Sequence, residues 1–511
     1  MRSFGDVAAN HLQGYKLPAP PRRGGPSKLR LLKELSLTQW LMFLSGWLAW
    51  TCDAIDFFSV SLQVTRLSQQ FHRNVHDITT SITLTLLFRS IGAVIFGLAS
   101  DRYGRKYPLI LNLAMIAVLQ VLVSFTQNFH QFLVCRSLFG LAMGGVWGMA
   151  SATALENLPV ELRGVASGVV QQGYALGYLV AAVFSLTVVP HNKHGWRSLF
   201  WCACGFTTTA ILLRLSLPES ELFLRNRREK KEKELLAKDL RDQTGNGAAP
   251  VQKSATQVFI QEIGEMFKRH WALCIYAVLL MSGFNFLSHG SQDLYPTYLK
   301  ESKGFDNYHS TVATIIGSLG AICGGVTAGY ISQYLGRRLT IIVYILSIGC
   351  FIPLWIIPNS FGKLAAGAFC VQFGVQGAWG VIPIQLAELS PAGFRATFPG
   401  LMYQLGNMIS SSAAQIEAIG GENLRTTLNG KNVPDYAKVQ GILLGTVAVF
   451  TILVTFLGPE NHSSHFGDDV PALERGRGKG DIVVSCSPDS PGGAEEEKKS
   501  IGQSRCLSVF E

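Results

Sequence analysis

An all-α membrane protein, with twelve transmembrane helices in two pseudo-symmetric six-helix bundles, is the fold this sequence predicts, and three observations predict it. The 511 residues are 48% hydrophobic and only 15% charged, too apolar and too charge-poor for a soluble enzyme. Twelve runs are long enough to span a bilayer, which takes about 20 mostly apolar residues. The two halves of the chain also repeat one another.

The runs lie near 38–62, 78–100, 107–126, 130–152, 165–189 and 198–217 in the first half, and near 271–297, 309–332, 339–358, 362–386, 397–418 and 440–458 in the second. The expected organisation is a tail over 1–37, a bundle over 38–217, a linker over 218–268, a second bundle over 269–458 and a tail over 459–511. The linker's Arg-Arg-Glu-Lys-Lys-Glu-Lys-Glu run suits a solvated helix with i,i+4 pairs, followed by a flexible Gly/Ala/Pro stretch. The last tail is polar and rich in Gly, Ser and Pro, and disorder is expected there.

The repeat has one fixed offset of 232 residues. It carries Gly97 onto Gly329, Trp147-Gly148 onto Trp379-Gly380, Glu156 onto Glu388, Pro159 onto Pro391, Arg163 onto Arg395 and Gln172 onto Gln404. Two copies related by an axis along the membrane normal would place a substrate site between them near the midplane.

The net charge of +10 is split among separate segments: Arg22, Arg23, Lys28, Arg30 and Lys33 in the first tail, the basic run from Arg225 to Lys233, and the loops holding Arg102, Arg105 and Lys106 or Arg337 and Arg338. Loops of opposite parity hold few. The positive-inside rule then puts both termini and the linker in the cytosol. No nucleic acid is expected as a partner, and no cleavable signal peptide, since the first apolar run follows a basic tail. Eight of the ten cysteines fall within or at the ends of spans, with no zinc or haem spacing, so free thiols are expected. Nucleophile motifs, metal spacings and nucleotide loops are absent from the sequence, which argues against an enzyme and for no cofactor.

The seventh run holds the most informative chemistry. Asn285, Ser288, His289, Gln292 and Asp293 fall at i, i+3, i+4, i+7 and i+8, one face of a helix. Each ionisable group at the centre of a span costs roughly 2.5–3.5 kcal/mol on insertion scales, and such groups usually face a polar path. The stripe suits a polar solute and a proton. His289 and Asp293 are i,i+4 neighbours, and the imidazole suits either a proton-linked step or plain binding. Asp53 and Asp56 align with Asn285 and Ser288 at the repeat offset, as proton carriers or as capping or salt-bridging groups. Arg89, midway along the second run, suits a bidentate contact with a carboxylate or an internal ion pair with Asp53 or Asp56. Arg136, about one turn inside its span, suits a structural role. Gln404 and Asn407, with Ser411 one turn on, share a face of the eleventh run. Gln171, Gln172, Tyr174 and Tyr178 on the fifth suit substrate or helix–helix bonds, and Trp147 and Trp379 suit packing.

Two stretches resemble known families. Gly97-x-x-x-Asp101-Arg102-x-Gly104-Arg105-Lys106 resembles the signature loop of the major facilitator superfamily, as does Arg136-Ser137-Leu138-Phe139-Gly140. The stretch from Asn285 to Thr297 resembles the sequence that marks the fungal Jen-type lactate and carboxylate permeases, with every fixed position matching. The first resemblance implies the major facilitator fold. The second implies proton-coupled uptake of short carboxylates across the plasma membrane.

The expected function is therefore import of a short monocarboxylate (lactate, pyruvate or acetate-like) with a proton, by a multi-pass protein acting as a monomer among membrane lipids. Arg89, Asn285, Ser288, His289, Gln292, Gln404 and Asn407 would bind substrate, and Asp53, Asp56, His289 and Asp293 would handle the proton. Gly97, Asp101, Arg102, Gly104, Arg105, Gly336 and Arg337 would form a conformational gate, with Gln333 in the place of Asp101 in the second copy, so that the two gates differ in strength. A dicarboxylate carrier is the rival within the class, for which a second cation near Arg89 is expected and none is read deep in a span. A non-transporting carboxylate sensor is the rival outside it. Ser487-Pro488, Ser490-Pro491 and Lys498-Lys499 suit kinases and ubiquitin ligase adaptors, or an unregulated tail.

Overall fold

Polar caps and glycine stops cut the apolar runs into helices. Ser36 opens the first: its Oγ accepts from the Gln39 backbone N–H at 3.2 Å while the Gln39 amide oxygen accepts from the Ser36 N–H at 2.9 Å. Asn128, Asp306 and Asp435 open later helices by accepting from the backbone N–H three residues on, at 2.9, 3.0 and 3.1 Å. Gly104 (φ 102°) and Gly336 (φ 85°) stop helices at matching points of the repeat, in a backbone conformation that favours glycine.

The computed structural model describes residues 28–220, 223–225, 227, 228, 232, 235, 255–390, 394, 397–428 and 430–460, all within one unit, Met1–Asp469. The long helices are α1 (Leu37–Ser61), α2 (Val75–Tyr103), α3 (Lys106–Ser124), α4 (Phe129–Met143, then Val146–Leu155), α5 (Val160–Thr187) and α6 (Arg197–Ser216). The second set is α7 (Ala255–Gln292), α8 (Asn307–Leu335), α9 (Arg337–Ile356), α10 (Phe361–Leu389), α11 (Thr397–Ser410, then Ala413–Asn423) and α12 (Tyr436–Leu457). Short helices Lys28–Glu34, Val64–Phe71 and Tyr295–Glu301 flank them. The tails' basic and phosphoacceptor residues before Lys28 and after Glu460, Lys230, Lys231 and Lys233 of the linker, and Pro391 and Arg395 of the repeat lie outside the described residues.

Three departures from expectation have local causes. Eleven segments among the described residues are long and apolar enough to cross a membrane alone; the eleventh predicted run is instead divided by a turn at Ser411-Ser412 into the two parts of α11. α7 starts at Ala255, inside the segment read as linker, and has non-helical backbone at His270 (φ −111°, ψ 23°). A hairpin, β1 (Arg425–Leu428) against β2 (Lys431–Pro434), joins α11 to α12. Its threonines and Val433 favour strand, and Asn429-Gly430 is a hairpin turn sequence.

The packing follows the repeat. Contacts of α1 with α5, α2 with α4 and α3 with α6 recur as α7 with α11, α8 with α10 and α9 with α12. The halves meet along α2 with α11 and α5 with α8, again a related pair. Leu111, Val118, Leu122, Leu346, Ile442 and Leu453 leave apolar side chains exposed on α3, α9 and α12, as a lipid-facing surface requires. Small residues bring backbones together where α2 crosses α4: a Cβ on Gly144 would overlap the Arg89 carbonyl oxygen. Gly144→Val is therefore expected to cost about 1–3 kcal/mol of overpacking, read as a lowered Tm by differential scanning fluorimetry. An unchanged Tm would mean that α2 and α4 can part without loss.

Candidate substrate and proton site

The α7 stripe turns inward as one face. Asn285, Ser288, His289, Gln292 and Asp293 are each no more than 4% exposed. The helix ends at Gln292, but the Asp293 N–H still donates to the His289 carbonyl at 3.0 Å, which keeps the i,i+4 register. The His289 Nδ1 then faces the Asp293 carboxylate at 3.0 Å, and Nε2 faces the Asn407 amide oxygen of α11 at 3.0 Å. Asn407 Nδ2 donates to the Gln404 Oε1 at 2.8 Å, and Gln404 Nε2 donates to the Gly144 carbonyl at 3.2 Å. α10 holds the stripe from behind: Gln292 Nε2 donates to Gln372 Oε1 at 2.8 Å, Gln372 Nε2 to Ser291 Oγ at 3.0 Å and Gln376 Nε2 to Ser288 Oγ at 3.3 Å. Gln372 and Gln376 thus position the stripe.

Beside it lie two buried ion pairs. Arg89 Nη2 sits 3.3 Å from Asp53 Oδ2, and Arg136 Nη1 sits 2.6 Å from Asp56 Oδ2, all four side chains at most 1% exposed. Arg136 corrects the expectation that no second cation lies deep in a span. α4 begins at Phe129, so Arg136 is two turns inside it and faces α1. The Nε and Nη1 of Arg89 and the Oδ1 of Asp53 and of Asp56 have no hydrogen-bond partner among the described residues. Such pairs offset the cost of burying charge only in part, and the open donors of Arg89 are what a carboxylate would accept from.

An aromatic wall links the two groups. The Arg89 guanidinium lies over the Tyr403 ring at 5.6 Å, and Trp147, Trp379 and Trp50 pack on that ring at 4.7, 5.6 and 6.1 Å. Asn285 Nδ2 donates to the Tyr403 carbonyl at 3.3 Å, and Phe57 of α1 meets the His289 ring at 5.6 Å. On α5, Tyr174 stacks on Trp50, Tyr178 Oη donates to the Gln292 carbonyl at 3.2 Å and Gln171 Oε1 accepts from Trp147 Nε1 at 3.2 Å.

The signature loop ends lie apart from this centre. Arg105 bonds Asp101 at 2.7 Å and Glu156 at 3.0 Å, and Asp101 accepts from both the backbone N–H and the hydroxyl of Thr397, across the seam between halves. Gly97 allows that approach, since its Cβ would meet the Thr397 Cα at 3.3 Å. Arg102 is exposed, its guanidinium 5.3 Å from the Tyr103 ring. In the second copy Arg337 bonds Glu388 at 3.0 Å, and its N–H donates to Glu460 at 2.6 Å. Burial pushes the Glu460 carboxyl above the usual range, against the opposing pull of the Arg337 N–H and the Arg338 and Arg337 charges. The Nε2 of Gln333, in the place of Asp101, finds no partner among the described residues.

Sequence reasoning missed several of these groups. Glu156 and Glu388 stand out in the sequence as a repeated pair, but their spacing does not point to Arg105 and Arg337 as their partners. Glu219, which accepts from the Arg105 and Lys106 N–H groups at 2.9 and 3.0 Å, and Glu460 just follow their last spans and carry no spacing signal. Glu417 of α11 is fully buried, with Gln440 Nε2 donating to it at 2.9 Å; an acid inside an apolar run was the available sign. The eight cysteines among the described residues are free.

Residues 35–415 match the model of the Major Facilitator Superfamily. The chain is 36% identical over 433 residues, 84% of its length and 69% of the relative's, to a carboxylic acid transporter protein homolog of Saccharomyces cerevisiae. It is 26% identical, over 72% of its length and 84% of the relative's, to a cis,cis-muconate transport protein of Acinetobacter baylyi. A solved structure of the xylose transporter XylE from E. coli, in a partially occluded inward-open conformation, superposes with TM-score 0.62 at 18% identity, covering 84% of this chain and all of that one. With the fold, the repeat and the signature loop, these matches place the chain in the major facilitator superfamily as a multi-pass membrane transporter.

Proposed function

We propose that this transporter imports a short monocarboxylate, of the lactate, pyruvate or acetate kind, together with a proton by alternating access. The observation that carries the reading is the buried His289–Asp293 pair, bonded to Asn407 and set beside an arginine with unfilled donors. The name of the Saccharomyces cerevisiae relative supports the substrate class. In this reading Arg89, Asn285, Ser288, His289, Gln292, Gln404 and Asn407 hold the carboxylate, and His289 with Asp293 takes the proton. Asp53 and Asp56 exchange their arginines for protons as substrate enters. An anion moving against a negative-inside potential costs about 2.3 kcal/mol per charge per 100 mV, and a proton moving with it removes that cost. The protein works as a monomer in the plasma membrane with both termini cytosolic. The arginine–carboxylate clusters at the signature loops latch and release the cytosolic end, and the tail is where kinases and ubiquitin ligase adaptors act.

The test is uptake of radiolabelled lactate in a transporter-deficient host at about pH 5 and about pH 7.5, a range that brackets ordinary histidine titration, with and without a protonophore. Faster uptake at the lower pH, abolished by the protonophore, is expected. Uptake indifferent to both would sink the proton role. Arg136 favours one second reading, a dicarboxylate carrier in which Arg89 and Arg136 each meet one carboxylate. Stronger competition by malate or succinate than by pyruvate would select it.

A further inference from the structure

We infer that Gln404 and Asn407 are positioning residues that convert the proton on the His289–Asp293 pair into a bond between the two halves of the protein. The argument rests on which atoms can donate. The Gly144 carbonyl, at the turn between the two parts of α4, can only accept, so the Gln404 atom 3.2 Å away is its N–H donor. The Gln404 Oε1 therefore points at Asn407 and accepts from its Nδ2 at 2.8 Å. That leaves the Asn407 Oδ1 toward His289 Nε2 at 3.0 Å, so Nε2 carries a proton. On the other side of the ring Nδ1 faces the Asp293 carboxyl at 3.0 Å.

A neutral imidazole has one N–H, and here it is already used toward Asn407. The contact between Nδ1 and Asp293 needs a further proton, either on the ring, as imidazolium with carboxylate, or on Asp293 facing a neutral ring. The arrangement is the proton-loaded one. When that extra proton leaves, the remaining ring proton serves the carboxylate, and Nε2 becomes an acceptor. Asn407 must then turn its amide, which presents Oδ1 to Gln404. Gln404 turns in response and presents Oε1 to the Gly144 carbonyl. Two acceptors cannot bond, so α11 loses its hydrogen bond to α4 of the other half and keeps the packing of Trp147 on Tyr403 there. Burial makes the consequence strong, because Asn407 and Gln404 are fully buried and have no water to fall back on.

Other titratable groups face the pair: Asp53 on α1 and Arg89 on α2 across Tyr403, Tyr174 and Tyr178 on α5, and Glu417 on α11, the last three within electrostatic range of Asp293. The test must therefore separate the relay from their titration. It also rests on the proton-coupled reading above, so its readout uses no substrate.

Hydrogen–deuterium exchange of the purified full chain, corrected for intrinsic rates, reports the contact at α11 around Gln404 and at α4 around Gly144. In the wild type, exchange there is expected to be about tenfold higher, the factor that corresponds to about 1.4 kcal/mol, at the basic end of a pH series than at its acidic end. Asp293→Asn supplies a fixed donor to Nδ1 and is expected to keep exchange low across the range. Asn407→Asp fixes an acceptor at Nε2 but removes the donor to the Gln404 Oε1, so Gln404 turns away from the Gly144 carbonyl and exchange is expected to be high across the range. Gln404→Leu is expected to give high exchange at both ends of it. A wild type without the rise, or a rise that persists in Asp293→Asn and Gln404→Leu, overturns the relay. Lactate uptake in the same preparation judges the transport reading separately: a pH-linked contact without proton-driven uptake would keep the relay and remove lactate.

Discussion

Arg89→Leu is expected to lower uptake by more than about 100-fold, equivalent to about 2.7 kcal/mol of lost stabilisation, and to destabilise the fold as well. The two effects have different causes and can be separated. Arg89 is fully buried and pairs with Asp53, equally buried, at 3.3 Å. Removing the guanidinium leaves an uncompensated carboxylate inside the bundle, a change that typically costs about 3–5 kcal/mol. Adding Asp53→Asn removes the orphaned charge, so the double variant should recover most of the lost Tm. It should not recover uptake, since the donors at Nε and Nη1 that a carboxylate would use are still gone. Tm by scanning fluorimetry beside radiolabelled uptake checks both parts. Recovery of uptake in the double variant would show that Arg89 serves only to neutralise Asp53.

Most of the fold was legible because bilayer physics writes it into composition. Apolar runs of span length and a fixed repeat offset placed every long helix, and glycines at matching offsets marked where α2 and α8 end. The α7 stripe was legible for the same reason: five polar residues in a lipid-soluble run have to share a face. What stayed hidden depends on helices meeting at angles. Arg136 looked shallow along its own span, yet α1 lies against it and carries Asp56 into contact. Nothing in local spacing says that Asp53 pairs with Arg89 and Asp56 with Arg136, and not the reverse. Glu219 and Glu460 were invisible because each acts only after its chain folds back beside a loop 113 or more residues away. The breaks in α4 and α11 were read as continuous spans, since Gly144-Gly145 and Ser411-Ser412 are tolerated in helices between neighbours. Gly144 nevertheless supplies the carbonyl on which the amide chain ends.

Asp101→Asn is expected to open the signature-loop end and, by the same motion, to tighten the opposite one. Asp101 reaches across the seam to Thr397 by two hydrogen bonds and is itself held by Arg105 at 2.7 Å. Hydrogen bonds to a charged group contribute about 1.5–3 kcal/mol, so losing the charge should shift the balance between open and closed ends at least about tenfold. At the other end the same two helices are joined by neutral bonds, Thr83 Oγ1 to the Ser411 carbonyl at 3.0 Å and Gln415 Nε2 to Thr80 Oγ1 at 3.1 Å. Neutral bonds contribute less, which makes the Asp101 contact the stronger of the two clamps on α2 and α11. Hydrogen–deuterium exchange should therefore rise in the variant over residues 97–103 and 397–402 and fall around Thr83 and Ser411. Exchange that is unchanged in Asp101→Asn would mean that α5 and α8 alone hold this end shut, and that the carboxylate serves only to fix Arg105.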